Sequence, residues 1–306
     1  MTPESTPSLH GVYPILPTPF HEDGSLDVPS LERLIDFQRE AGVHGVAILG
    51  FLGEAHKLSE AERATVVRTV VERAGSDLGV WVGVRALGTA GCVEQAVAAE
   101  KAGASAVFVA PVPPQNDDAL YRHFRTVAEA ISIPVVLHDY PASFGLTLSV
   151  DLIARLAREG HAPYIKAEDP PVLQKMTKVL QQSGGTIGVF GGLGGTYFLE
   201  ELQRGAVGIM TGLAYPEVLL AIYERFRAGD EKGATEAFDR FIPYIRYEFQ
   251  PGIGLAYRKQ IYHRRGIFST THVRAPGMQI DDASRDELEA ILERVGLPLG
   301  PGVAKI

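Results

Sequence analysis

Cysteine is almost absent from this sequence. Cys92 is the single one among 306 residues, so an internal disulfide cannot form and the common thiolate zinc sites are excluded. Its setting in GTAGCVEQAV is typical of a helix start, where a small thiol is often buried. The sequence has no HExxH motif and no P-loop, and its FGGLGG cluster lacks the glycine spacing and downstream acid of a dinucleotide site. We therefore expect no metal and no cofactor.

Positive charge is also in short supply. The chain carries 29 Lys and Arg against 37 Asp and Glu, a formal net charge of -8, which argues against binding to nucleic acid or to an anionic membrane. No apolar run is long enough to span a bilayer, and MTPESTPSLH lacks the basic start and apolar core of a secretion signal. We expect a cytoplasmic protein whose partner is a small metabolite.

What the sequence does contain is a regular alternation of short apolar runs and amphipathic segments. Eight runs rich in Val, Ile and Ala recur at residues 12–17, 45–49, 79–84, 104–110, 134–138, 164–168, 186–190 and 206–211. Segments with helical apolar spacing lie between them, for example at 28–41, 60–73, 93–102 and 173–182. Alternating strands and helices indicate a parallel sheet, and eight such units predict an α/β fold, a closed (β/α)8 barrel.

The pattern changes to helices alone after residue 211. Segments 217–228, 231–248, 253–265 and 283–295 are predicted helices, of which the first closes the barrel. The sequence thus predicts a barrel over residues 1–228 and a C-terminal helical extension over 229–306. Ser59 and Glu62 form a capping-box pattern that supports a helix start at this point.

Lys166 is the leading candidate for chemistry, because it lies near the end of the sixth predicted strand, where barrel enzymes carry their reactive groups. Burial disfavours the charged form of a lysine, and a neutral amine can attack a ketone to form an iminium. An alternative is a structural ion pair with Glu168 or Asp169. The period of two places Glu168 on the same strand face as Lys166, as a counter-ion or proton carrier.

The fifth predicted strand ends in LHDYP. Its alternation puts His138 and Tyr140 on one face and Asp139 on the other. A histidine can move protons near neutral pH, whereas a tyrosine does so as a donor or with a strongly lowered pKa. A hydrogen-bonded structural role for His138 is the alternative.

Two glycine-containing loops are candidate substrate-binding segments. In GFLGE, Gly50 and Gly53 flank Phe51 and Leu52 and allow exposed backbone N–H groups that could hold a carboxylate. Gly191 and Gly192, after the seventh predicted strand, permit close approach of a ligand, although glycines in loops often serve turns alone.

These motifs, in this order, resemble the dihydrodipicolinate synthase and N-acetylneuraminate lyase family of class I aldolases. The likeness runs from GVYPILPTPFHEDGSLD at 11–27 through GFLGE at 50–54 to YIKAED at 164–169, where the family has its Schiff-base lysine. The resemblance implies a (β/α)8 barrel with a helical extension, no metal, a small 2-oxo acid such as pyruvate as substrate, and a homotetramer or homodimer.

The sequence departs from the family pattern at the proton relay. His138 stands where the family has the first tyrosine of its YNxP motif. Phe51 and Leu52 replace the paired hydroxyl residues of the GTTGE loop, and Val112 and Pro113 replace a tyrosine pair. The usual tyrosine relay is therefore absent, and the pocket is expected to be less polar than that of a sugar-acid enzyme.

Ser143 occupies the place of the arginine that holds the aldehyde substrate in dihydrodipicolinate synthases, which argues against lysine biosynthesis. The segments KAEDPP and GIMTGLAYPE look more like the branch with 2-keto-3-deoxy-pentonate dehydratases. We therefore expect a Schiff-base lyase, an aldolase or a dehydratase, acting through Lys166. A deaminase that opens a cyclic imine with the same lysine, and a barrel that binds a metabolite without catalysis, are the alternatives.

Overall fold

The computed structural model describes residues 8–112 and 116–306, so Pro113 lies outside the described residues. Eight short parallel strands run in the order β1-β8-β7-β6-β5-β4-β3-β2. They are β1 Gly11–Pro14, β2 Gly45–Ile48, β3 Gly79–Val84, β4 Ala106–Val109, β5 Val135–Asp139, β6 Tyr164–Ala167, β7 Gly188–Gly191 and β8 Gly208–Thr211. A parallel bridge between Ile15 and Ala47 joins β1 to β2 and closes the ring. The predicted barrel is confirmed.

The helices lie between and after these strands. Within the described residues they are α1 Val28–Ala41, α2 Glu60–Ala74, α3 Thr89–Lys101, α4 Asp117–Glu129, α5 Pro141–Phe144, α6 Val150–Arg158, α7 Val172–Ser183, α8 Phe198–Gln203, α9 Pro216–Arg227, α10 Glu231–Glu248, α11 Gly254–Arg264 and α12 Asp282–Val295. The last three form the C-terminal extension. None of these helices is long and apolar enough to cross a membrane. The predicted division at residue 228 falls between α9 and α10 and stays a prediction.

Most element boundaries lie within one or two residues of those predicted, and two local predictions are confirmed. α3 begins four residues earlier than predicted, at Thr89, so Cys92 lies in its first turn, fully buried. Ser59 and Glu62 form the expected capping box at the start of α2. β6 ends at Ala167, one residue before Glu168, but the N–H of Glu168 still donates to the carbonyl of Asp139 at 3.0 Å.

The barrel interior is filled by aromatic side chains from alternate strand positions. Tyr13 stacks on Trp81 with ring centroids 4.2 Å apart, and Phe190 meets Trp81 edge-on at 4.9 Å. Gly45 makes room for Tyr13, since a Cβ there would lie 2.3 Å from its ring. This largely apolar plug fills the barrel interior, and the reactive groups of such barrels lie at the carboxyl ends of the strands.

The extension is fixed to the barrel by buried charges. Arg265 donates to Glu217 at the start of α9 at 2.6 Å and to the carbonyl of Ala214 at 2.9 Å. Lys259, in α11, donates to Glu54 at 2.6 Å, and both side chains are fully buried. Helix α11 therefore contacts both the loop after β2 and the region after β8.

We expect Arg265→Met to lower the free energy of unfolding by about 3–5 kcal/mol, because it leaves the buried carboxylate of Glu217 without its cation. Urea unfolding of the variant measures this. Arg73→Met removes one of the two arginine partners of Asp36 in an exposed cluster, with Arg73 47% exposed, and should cost less than about 1 kcal/mol. Equal losses in the two variants would contradict the assignment.

Candidate active site

Three polar side chains meet at the carboxyl ends of β5 and β6. The register pairs His138 directly with Lys166, and both side chains point into the barrel. Nε2 of His138 lies 3.2 Å from Nζ of Lys166 and 3.2 Å from Oε2 of Glu168. Nζ of Lys166 also donates to Oε2 of Glu168. The alternation of the two strands therefore places Lys166, Glu168 and His138 in one buried triangle.

The charges of this triangle are set by its burial and by Lys166. Burial alone would raise the pKa of Glu168, but the charge of Lys166 and the hydrogen bond to His138 outweigh burial and lower this pKa to about 2. Burial, and then the charge of Lys166, lower the pKa of His138 to about 4. The resting site thus holds a carboxylate and a neutral imidazole against Nζ of Lys166.

The side chains of Tyr140 and Asp139 point in opposite directions, as the strand alternation predicts. The ring of Tyr140 stacks parallel to His138 with centroids 6.1 Å apart and lies 5.8 Å from Nζ of Lys166. Burial, and then the charge of Glu168, raise the pKa of the Tyr140 hydroxyl, so this group stays protonated and can act as a donor. Asp139 points outward, 2.6 Å from Nζ of Lys175. Asp169 binds the same Lys175 at 2.8 Å.

The GFLGE loop presents Phe51 and Leu52 to the interior of the barrel mouth. The two glycines contact protein: a Cβ on Gly50 would lie 3.1 Å from Ile15, and one on Gly53 would lie 3.2 Å from backbone atoms. The turn uses the N–H of Gly53, which donates to the carbonyl of Gly50 at 3.1 Å. Within the described residues the N–H groups of Phe51 and Leu52 have no hydrogen-bond acceptor.

Gly191, the last residue of β7, and Gly192, which follows it, lie against carboxyl groups of the protein. A Cβ on Gly192 would overlap Glu168, and one on Gly191 would overlap Glu201 of α8. Neither glycine lines the central or the side part of the site's cavity space, so the groups that closely approach these two glycines are the side chains of Glu168 and Glu201. The N–H of Leu193 donates to Oε1 of Glu168 at 2.8 Å. This loop therefore supports Glu168, and a direct contact of Gly191 or Gly192 with substrate stays a prediction.

Backbone strain is concentrated around the site. Leu49, Glu54 and Leu193 adopt left-handed φ values of 61°, 54° and 46° without being glycine. Leu49 directly precedes the GFLGE loop, Glu54 is its last residue, and Leu193 carries the N–H that binds Glu168. Such strain persists only where the surroundings hold it in place, and it is commonly found at functional sites.

A cavity of about 650 Å³, the central cavity, opens above Lys166 and is large enough for a small metabolite. Its floor includes Lys166, His138 and Glu168, and its walls include Phe51 and Leu52. The opposite wall comes from the extension, which contributes Glu248, Phe249, Gln250, Arg258 and Met278. The extension is thus part of the site.

Sequence reasoning missed several charged residues near the cavity. Arg258 donates to Glu248 at 2.7 Å and to the carbonyl of Gly212 at 2.8 Å, while its Nη1 has no partner among the residues described. Glu201 is buried behind the β7 loop, and burial raises its pKa to about 8. No local motif marks these residues. Arg85 directly follows β3, however, and the strand-end rule could have identified it.

Residues 8–112 and 116–306 contain no cluster of three or more His, Cys, Asp or Glu side chains that could hold a metal ion. The polar groups that are present instead suit carbonyl chemistry. They comprise an amine, a neutral imidazole within hydrogen-bond distance and a carboxylate that can balance a positive charge on nitrogen.

Nearly the whole chain matches known proteins. The model of the dihydrodipicolinate synthetase family matches residues 8–295. The chain belongs to this family. An L-2-keto-3-deoxyarabonate dehydratase from Azospirillum brasilense is 30% identical over 304 residues, 96% of this chain and 97% of the relative. A 4-hydroxy-tetrahydrodipicolinate synthase from Streptomyces coelicolor is 33% identical over 287 residues, 91% and 90% of the two chains.

Solved structures agree with the sequence comparisons. A dihydrodipicolinate synthase from Rhodopseudomonas palustris superposes with a TM-score of 0.89 at 37% identity and covers 95% of this chain and 99% of its own. The predicted resemblance is therefore confirmed at the level of family and fold.

The lowered pKa of His138 predicts that the free energy of unfolding depends on pH. The unfolded chain takes up a proton near pH 6.5 that folded His138 accepts only near pH 4, so the free energy of unfolding should fall as pH decreases through this window. The loss is a few kcal/mol, since one pKa unit corresponds to about 1.4 kcal/mol. Urea unfolding measured from about pH 7 to about pH 4 should show a smaller fall for His138→Asn. The same fall in both proteins would contradict the assignment.

Proposed function

We propose that this chain is a Schiff-base-forming lyase that condenses the amine of Lys166 with the keto group of a small 2-oxo acid. The observation that carries the proposal is the contact of Nζ of Lys166 with a neutral histidine at 3.2 Å and with the Glu168 carboxylate, on the floor of a cavity. Membership of a family that contains synthases and a dehydratase supports a lyase.

The first step needs the amine in its neutral form. In the proposal, Nζ of Lys166 passes a proton to Nε2 of His138 and attacks C2 of the substrate, and loss of water gives the iminium. After burial, the charge of Lys166 is the largest cause of the lowered pKa of His138. His138 therefore becomes more basic when Lys166 loses its charge. Glu168 then balances the positive iminium nitrogen.

The second step removes a proton from C3 of the iminium to give an enamine. His138 and Glu168 are the candidate bases, and Tyr140 can donate a proton to a leaving group. The enamine either expels a hydroxyl from C4, which leaves as water with a proton from an acid of the site, or attacks an aldehyde. Because the Azospirillum relative is a dehydratase, we favour loss of water, with hydrolysis of the resulting conjugated iminium restoring Lys166.

The substrate carboxylate is assigned to the GFLGE loop. Phe51 and Leu52 line the cavity, and their backbone N–H groups point to no acceptor within the part of the chain that the structure describes. Two adjacent N–H groups can bind a carboxylate without the hydroxyl side chains that the family pattern has at these positions. Gly50 and Gly53 serve this arrangement by permitting the tight turn.

The first test of this proposal is borohydride trapping with pyruvate, followed by intact mass measurement. We expect a covalent adduct in the wild type and none in Lys166→Arg, which keeps the charge beside Glu168 but offers no amine for an imine. Lys178→Arg, at an exposed lysine of α7, is the matched control and should form the adduct. Absence of an adduct in the wild type would overturn the proposal and favour a barrel that only binds a metabolite.

The second test separates imine formation from proton transfer. In deuterated water we expect His138→Gln to exchange the C3 protons of pyruvate about 10²–10⁴-fold more slowly than the wild type, because it lacks the base. Nuclear magnetic resonance measures the exchange, and borohydride trapping shows whether the imine still forms. Unchanged exchange in His138→Gln, with slow exchange in Glu168→Gln, would identify Glu168 as the base that removes the C3 proton.

The deaminase alternative is tested separately. Release of ammonia from a cyclic imine would indicate a deaminase in place of a dehydratase or aldolase.

The assembly implied by the resemblance, a homotetramer or homodimer, stays a prediction. A structural relative with a TM-score of 0.86 and 24% identity is described as a monomeric dihydrodipicolinate synthase variant. Assembly therefore varies among proteins of this fold, and sedimentation of the purified chain decides it here.

A further inference from the structure

A second cavity of about 410 Å³, the side cavity, adjoins the central cavity between the loops after β2, β3 and β4. Phe51 and His138 line both cavities, so the two spaces meet above the catalytic triangle. The walls of the side cavity are largely apolar, but two arginines, Arg63 and Arg85, and a second histidine, His56, line it. No aspartate or glutamate lines it among the described residues.

Arg63 is a buried cation whose positive charge is only weakly balanced by neighbouring anionic groups. The residue is 8% exposed, and its guanidinium donates to the carbonyl of Gly83 at 3.3 Å. Its nearest carboxylate, that of Glu60, is 3.6 Å away and lies on a side chain that is 80% exposed. A buried charge normally has a close partner of opposite sign. An anion in the side cavity would supply one.

Arg85 forms no ion pair with any residue that the structure describes. Its guanidinium lies 4.4 Å from the ring centroid of Phe51 and 5.3 Å from that of Phe144, and these rings hold it at the cavity wall. Its charge reaches the catalytic triangle, since it contributes, after burial and Lys166, to the lowered pKa of His138. A guanidinium held in this way can bind a carboxylate through two parallel hydrogen bonds.

We propose that the side cavity binds a second carboxylate, at the far end of the same 2-oxo acid whose keto carbon joins Lys166. This inference rests on the proposed function and names its substrate class, a 2-oxo acid with acidic groups at both ends. Phe51 separates the two acid sites: its backbone faces the first carboxylate, and its ring supports Arg85, which binds the second. Arg85 is therefore a specificity-determining residue.

The test compares two acids of equal length, 2-oxopentanedioate and 2-oxopentanoate, in borohydride trapping on the wild type. We expect half-maximal adduct at a concentration about tenfold lower for the diacid, which corresponds to about 1.4 kcal/mol, because only the diacid has a second carboxylate to bond with the Arg85 guanidinium. Arg85→Gln should bring the ratio close to one. Arg68→Gln removes the same charge from an exposed position of α2 and should keep the wild-type ratio.

The outcomes separate this inference from the proposed function. Failure of pyruvate to form a Lys166 adduct overturns the proposed function itself. A normal pyruvate adduct with no preference for the diacid, in this pair or in 2-oxohexanedioate against 2-oxohexanoate, overturns only the inference, and this wild-type comparison needs no variant to fold. An Arg85-dependent site for free inorganic phosphate, without diacid preference, also overturns it by showing that a separate anion binds there.

Discussion

The carboxylate of Glu168 is the group around which the site is arranged. It is 4% exposed, and a buried anion in this position needs partners on every side. Nζ of Lys166 supplies one from β6, the N–H of Leu193 supplies another from the loop after β7, and Nε2 of His138, from β5, lies 3.2 Å from the carboxylate. Gly192 is required there because a Cβ would overlap Glu168. Charge balance at one carboxylate thus fixes the relative positions of three barrel segments.

The C-terminal extension forms one wall of the central cavity. Lys259 reaches the left-handed Glu54 at the end of the GFLGE loop, so α11 holds the loop that carries the proposed carboxylate site. Arg258, from the same helix, binds Glu248 and lines the central cavity. Buried pairs of this kind contribute little net stability, but breaking one is costly. They therefore act mainly to define where the extension lies over the barrel mouth.

Replacement of a tyrosine by His138 alters how protons can move. A phenol needs a strongly lowered pKa to act as a base near neutral pH, whereas a neutral imidazole already has a free lone pair. The lowered pKa of His138, about 4, keeps this lone pair free at rest. The same residue lines both the central and the side cavity, so in the proposed binding mode the base lies between the reacting carbon and the far end of the substrate.

Local sequence patterns determined the barrel, the strand ends and the inward direction of Lys166, His138 and Tyr140, because apolar periodicity and the period of two are properties of neighbouring residues. Motif resemblance added the family. The tertiary structure alone decided which distant charges meet. Glu54 meets Lys259 across more than two hundred residues of chain, and Arg85 and Arg63 join His138 around one cavity through barrel closure. Contacts between such distant residues depend on packing and charge compensation between elements, and these cannot be inferred from a short segment of sequence.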